Sequence, residues 1–154
     1  MSDKQGGPAA SEVLGRDELR PNFAYFEVLP LRWIDNDMYG HLNNARYYSL
    51  YETTIMHYFA QAGLDPNSGP CRCFSAENGC RYYAPVKFPD VVECGLRVAH
   101  LGNSSVRYEL GLFVQNQDAV VATGHAVEIF VDADTEKPTR IPDDFRAALE
   151  RLAR

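Results

Sequence analysis

The segment from Arg32 to Asn44 (Arg-Trp-Ile-Asp-Asn-Asp-Met-Tyr-Gly-His-Leu-Asn-Asn) gathers two carboxylates, an imidazole, a glycine and two side-chain amides. An ionised carboxylate such as Asp35 or Asp37 can attack a carbonyl directly, or draw a proton from a water that does so. A helical pattern begins directly after Asn44. The first turn of a helix offers unpaired N–H groups and about half a unit of positive charge, which suits a polarised carbonyl or a developing oxyanion. Carboxylate and helix tip together are the minimum equipment for hydrolysing an activated ester. Asp35 reads as structural, bracing the loop or pairing with Arg32, and Asn43 or Asn44 can cap the helix.

These residues need elements to position them. Residues 1–22 mix Gly, Pro, Ala, Ser and charges without apolar periodicity and read as a flexible N-terminal tail. Phe23 to Trp33 reads as a strand, with Pro30 marking an edge or a bulge. From Ala45 to Ala62, Tyr48, Tyr51, Ile55, Phe59 and Ala62 recur at spacings of three and four, which predicts a helix stopped by Gly63. Phe74 to Tyr83 reads as a short strand. Three strands with period-two alternation follow, Val91–Ala99, Ser105–Gln115 and Ala119–Val131, the last apolar enough to be central. Their short connections, Gly102-Asn103 and Asn116-Gln117-Asp118, suit antiparallel hairpins. A last short helix opens at Pro142-Asp143. No helix separates the later strands, which excludes a parallel doubly wound sheet and predicts an α+β fold, one helix covering one antiparallel sheet.

Composition narrows the function. The chain has 154 residues, 45% of them hydrophobic, enough for one core, and residues 23–154 read as a single domain. The net charge of −6 argues against nucleic acid as partner. No apolar run reaches the ~18–20 residues that would cross a bilayer, and the N-terminus lacks a secretory pattern. Cys71, Cys73, Cys80 and Cys94 lack zinc-ligand spacing and read as free thiols of a cytoplasmic protein.

The pattern Arg32-Trp-x-Asp35-x-Asp37-x-x-Gly40-His41-x-Asn43-Asn44-x-x-Tyr47 resembles the opening of the 4-hydroxybenzoyl-CoA thioesterase-like family of hotdog-fold acyl-CoA thioesterases. Further likeness lies in Pro85-Val-Lys-Phe-Pro-Asp90, in Gly102-Asn-Ser-Ser-Val-Arg-Tyr-Glu109 and in Ala122-Thr-Gly-His125, so it spans about Phe23 to Pro142. The resemblance implies a hotdog fold, an antiparallel sheet wrapped around one long central helix. It also implies a homodimer or a dimer-of-dimers tetramer with sites between subunits, and an acyl-CoA substrate split into acid and CoA. No metal or other cofactor is implied, since CoA belongs to the substrate.

Carried over residue by residue, the resemblance makes Asp37 the nucleophile or general base. The amides around Gly40 and His41 become the carbonyl's donors, with Gly40 letting the backbone approach the thioester oxygen. His41 would orient water or substrate. Asn44 stands where relatives carry His or Tyr; its amide can bind a carbonyl but is neither acid nor base near neutral pH. Tyr39 and Tyr47 are substrate-binding candidates, and Ser104 and Ser105 candidates for the CoA arm. Glu52, eight residues past Asn44, lies ~12 Å along the helix, too far to serve a carbonyl at the tip of its own helix. The alternatives are an acyl-ACP thioesterase and a non-catalytic acyl-CoA-binding module; plant and bacterial acyl-ACP enzymes share the stretch at Asp37, His41, Asn43 and Asn44 but carry Asn where Tyr39 stands.

Overall fold

The structure, a computed structural model, describes residues 14–153; residues 1–13 of the expected tail lie outside it. The chain runs β1 (Tyr25–Pro30), α1 (Arg46–Gln61), β2 (Cys71–Tyr82), β3 (Val91–Leu101), β4 (Ser105–Val114), β5 (Val120–Asp132) and α2 (Asp143–Glu150). All five strands pair antiparallel in one sheet of order β1-β3-β4-β5-β2. The architecture is α+β, and β5 is internal as its apolar run predicts. β1 and β2 form the edges, and Pro30 sits on an edge strand, where its missing N–H costs no ladder bond.

Alternation divides the sheet into two faces. Val92, Cys94, Leu96 and Val98 of β3 and Val106, Tyr108, Leu110 and Leu112 of β4 are buried on the inner face, in one core with Tyr47, Tyr51, Ile55 and Phe59 of α1. The helix is 16 residues long. It stops as the sequence predicts: Gly63 takes φ +76°, and the N–H groups of Leu64 and Gly63 return to the carbonyls of Phe59 and Ala60. From α2, Phe145 packs edge-on against Phe59 and Phe130 and closes one end of the core.

The outer face corrects the expected tail. From Leu14 onward the chain packs against the sheet, and Leu14 itself is buried. The cause is Arg97 of β3, 1% exposed on the outer face and unable to remain there unpaired. Its guanidinium donates to Glu109 at 2.7 Å, to both oxygens of Glu18 at 2.9 and 3.1 Å, and to the Asn22 carbonyl at 3.3 Å. Arg20 adds an ion pair with Glu93. Between these pairs Phe23 enters a slot made by Gly95 and Gly111, which face each other across β3 and β4. A methyl group at those positions would lie 2.7 and 2.5 Å from the Phe23 side chain. This turn of Phe23 onto the outer face delays the start of β1 to Tyr25, two residues later than the sequence pattern suggests.

Candidate active site

The loop between β1 and α1 is built from its own polar groups. Asp35 is buried and closes a single 3-10 turn, Trp33–Asp35, in place of the last strand residues expected from the sequence. Its Oδ2 accepts the Arg32 backbone N–H at 2.8 Å and its Oδ1 the Arg32 guanidinium at 2.9 Å. The Arg32 hydrogen bonds hold the Asp35 carboxyl below the usual carboxylate range. This is the bracing role read from the sequence.

Asp37 heads the next turn. Its Oδ1 accepts the N–H of Tyr39 at 2.8 Å and, more weakly, that of His41 at 3.3 Å. Its own N–H donates to the His41 carbonyl at 2.7 Å, and Gly40 donates to the Asp37 carbonyl at 3.1 Å. Gly40 adopts φ +80°, a conformation that penalises any side chain. The turn is fastened to the chain before β3: Leu42 N–H donates to the Val86 carbonyl at 2.7 Å, and Phe88 N–H to the Asn36 side chain at 3.0 Å.

Two sequence expectations change as a result. The amides of Gly40 and His41, expected to receive the carbonyl, are taken up by Asp37, because an acid heading a tight turn captures the nearest N–H groups. They also precede the helix, which starts at Arg46. Of the two asparagines, Asn43 makes the cap-like bond, accepting the Ala45 N–H at 2.9 Å. The side chain of Asn44 is thereby left to the cleft.

That cleft, about 480 Å³ and open along one side, is lined by Asp37, His41, Asn44 and Tyr47 from the loop and helix. Tyr82 to Pro85, the end of β2 and the turn beyond, form the opposite wall. Tyr47 stands edge-on to Tyr82 with ring centroids 4.8 Å apart, and the Tyr82 hydroxyl donates to the Asn44 carbonyl at 3.2 Å. Burial pushes the Tyr47 phenol up to about 12, so it is a neutral wall rather than a proton carrier. Four of the eight expected site residues therefore meet in one place, with Gly40 in the same turn. Tyr39 does not join them; it is 80% exposed and does not line the cleft. Ser104 and Ser105 lie at the far end of the sheet. Ser105 pairs with Ile129, whereas Tyr82 pairs with Ala122, seven residues or ~23 Å back along β5. Tyr82 and Tyr83 went unrecognised in the sequence, where the only signal was their place just before the Pro85–Asp90 stretch.

A loop acid, a helix tip and an aromatic cleft on an antiparallel sheet define a class of ester-cleaving protein. Residues 31–149 match the family model of the thioesterase-like superfamily, and the chain belongs to that family. Its reaction class is thioester hydrolysis. The PA5185 protein of Pseudomonas aeruginosa is 43% identical, with a TM-score of 0.84 over 88% of this chain and 95% of its own. The 1,4-dihydroxy-2-naphthoyl-CoA thioesterase Slr0204 of Synechocystis shares 11% identity and a TM-score of 0.78 over 83% of this chain and 96% of its own, a likeness of fold. The uncharacterized protein YsmA of Bacillus subtilis is 22% identical over 86% of this chain and 89% of its own.

Proposed function

We propose that this protein hydrolyses an acyl-CoA to a free carboxylic acid and CoA, with Asp37 supplying the attack. The observation that carries the reading is the meeting of Asp37, His41 and Asn44 at the mouth of one aromatic-walled cleft beside the start of α1. The thioester carbonyl binds at the helix tip, within reach of the Asn44 amide. Asp37 bonds to the carbonyl carbon as the C–S bond breaks, giving a mixed anhydride that water then hydrolyses to the free acid and the restored carboxylate, or it takes the proton of a water that attacks the same carbon. CoA leaves as the thiol after protonation. His41, exposed at the cleft rim, orients the water or the substrate.

The sheet curves around α1 in the hotdog manner, and the working unit is a homodimer or a dimer of dimers. Exposed Trp33, Ile34, Met38 and Tyr39 beside the cleft, and the unpaired edge of β2, favour assembly on that side. A partner subunit would also bring a second pair of serines, Ser104 and Ser105, toward the CoA arm. The protein works in the cytoplasm and without a further cofactor.

A non-catalytic acyl-CoA-binding module is the competing reading, favoured by the hydrogen bonds that tie Asp37 Oδ1 into its own turn. A thiol-release assay over short, medium, long and aromatic acyl-CoAs, with matched acyl-ACPs, decides. Release of CoA that depends on Asp37 is expected. Tight binding with no release on either carrier would overturn the hydrolase reading, and release only from acyl-ACP would move the substrate to that carrier.

A further inference from the structure

The wall of the cleft opposite the helix is held from behind. Strand β2 leaves its ladder with β5 at Tyr82, which pairs with Ala122. Beyond that point the N–H groups of Tyr83 and Ala84 share one acceptor, the Val121 carbonyl, at 2.9 and 3.2 Å. Tyr82 and Tyr83 send their side chains opposite ways, as neighbours on a strand do. Tyr82 meets Tyr47 in the cleft, and its hydroxyl holds the Asn44 carbonyl. Tyr83 reaches the outer face. There its hydroxyl donates to the Leu14 carbonyl at 3.3 Å and accepts from the Thr123 hydroxyl at 2.8 Å. The Arg16 guanidinium lies over its ring, 5.4 Å from the centroid.

The segment that receives Tyr83, residues 14–22, forms a strap across the outer face and is itself anchored. Leu14 is buried, and both carboxylate oxygens of Glu18 accept from the Arg97 guanidinium. A line of contacts therefore runs from the Arg97 ion pair through the strap to Tyr83, across one peptide unit to Tyr82, and on to Asn44 beside the start of α1. Phenylalanine at position 83 would fill the same space without the two hydroxyl bonds. The turn that carries Asp37 is fastened separately, through Val86 and Asn36.

We propose that Tyr83 is a positioning residue for substrate binding: it ties the cleft wall to the strap and, through Tyr82, sets the wall's place against Asn44 and Tyr47. The inference rests on the acyl-CoA reading and adds to it a residue on the opposite face of the sheet from the cleft. A wall with this tie meets the substrate already in place, so less ordering is left for binding to supply. Asp37 keeps its own support, so the loss of the tie falls on binding and spares the chemical step.

The test measures KM and kcat for CoA release from octanoyl-CoA and benzoyl-CoA, with calorimetric binding of both esters to Asp37→Asn protein in parallel. Tyr83→Phe keeps the ring and removes both hydroxyl bonds. It should raise KM, and the dissociation constant in the Asp37→Asn background, by about fivefold, the scale of one hydrogen bond, while kcat changes by less than about twofold. Glu18→Ala, which unties the strap from Arg97, should raise KM in the same direction. A purely structural role would lower the folded fraction, and with it the apparent kcat, and leave KM alone. Because Tyr83 acts through Tyr82, Tyr82→Phe should also raise KM, and adding Tyr83→Phe to it should change little further. An unchanged KM and binding constant in Tyr83→Phe, an unchanged KM in Glu18→Ala, or effects at positions 82 and 83 that simply add, overturns the assignment. Should neither ester release CoA in the wild type, the hydrolase reading falls, and weaker binding in Tyr83→Phe still upholds the role of Tyr83.

Discussion

The two sides of this molecule are finished to different degrees. On the outer face, Arg97 has its guanidinium shared among Glu109, Glu18 and Asn22, and Phe23 fills a slot cut to its ring. On the cleft side, Trp33 and Met38 stand 76% and 89% exposed, β2 presents an open edge, and the cleft is open along one side. A single chain satisfies the first region completely. The second is left for something else to complete, and that is where the acid and the helix tip lie. Closure marks the part that stabilises the fold, and incompleteness marks the part proposed to meet substrate and a second subunit.

Breaking the finished side should cost the most. Arg97→Ala leaves Glu109, itself 3% exposed, as an unpaired buried charge. A loss of about 3–5 kcal/mol is expected, read by denaturant unfolding, with kcat per folded molecule retained. On the unfinished side, Asp37→Asn should lower turnover by at least ~100-fold in a thiol-release assay, the range of a catalytic acid–base group. An asparagine Oδ1 can still accept from Tyr39 and His41, so the melting temperature should hold. Near-wild-type turnover in that variant would remove Asp37 from the mechanism.

A smaller step sharpens the same contrast. Gly111→Ala places a methyl group 2.5 Å from the Phe23 ring and should destabilise by about 1–3 kcal/mol as an overpacked core does, without affecting KM. Asp35 gives a pH signature. Its folded carboxyl lies below the ordinary range because Arg32 bonds the charged form, so its contribution is present above that range and is lost as the pH falls through its folded value. Asp35→Asn should flatten this acid limb of the stability curve. Least is expected of Trp33→Ser within one chain, under about 0.5 kcal/mol. The same change should weaken self-association in sedimentation if the exposed cluster faces a second copy.

Much of the fold was legible because its signals are local. Gly63 ended the helix, the hairpins fell at Gly102-Asn103 and Asn116-Gln117-Asp118, and Pro30 marked an edge. The candidate acid and its neighbours were legible for the same reason, since they share one loop. The fate of the Gly40 and His41 amides was not, because motif spacing shows which groups are close and not which of them bond to one another. The ordered segment from Leu14 was missed because its partner, Arg97, is 79 residues away from Glu18.

By itself the sequence determined the helix, the strands, their antiparallel pairing and the loop that carries the acid, all set by periodicities and turn residues within a few positions of one another. Only the tertiary structure decided that Tyr82 to Pro85 line the cleft opposite the helix, that Ser104 and Ser105 lie far from it in the same chain, and that Arg97 is buried against Glu18 and Glu109. The physical reason is that burial and hydrogen-bond partnership belong to neighbours in space, and a strand's alternation states which side a residue faces without stating what waits there.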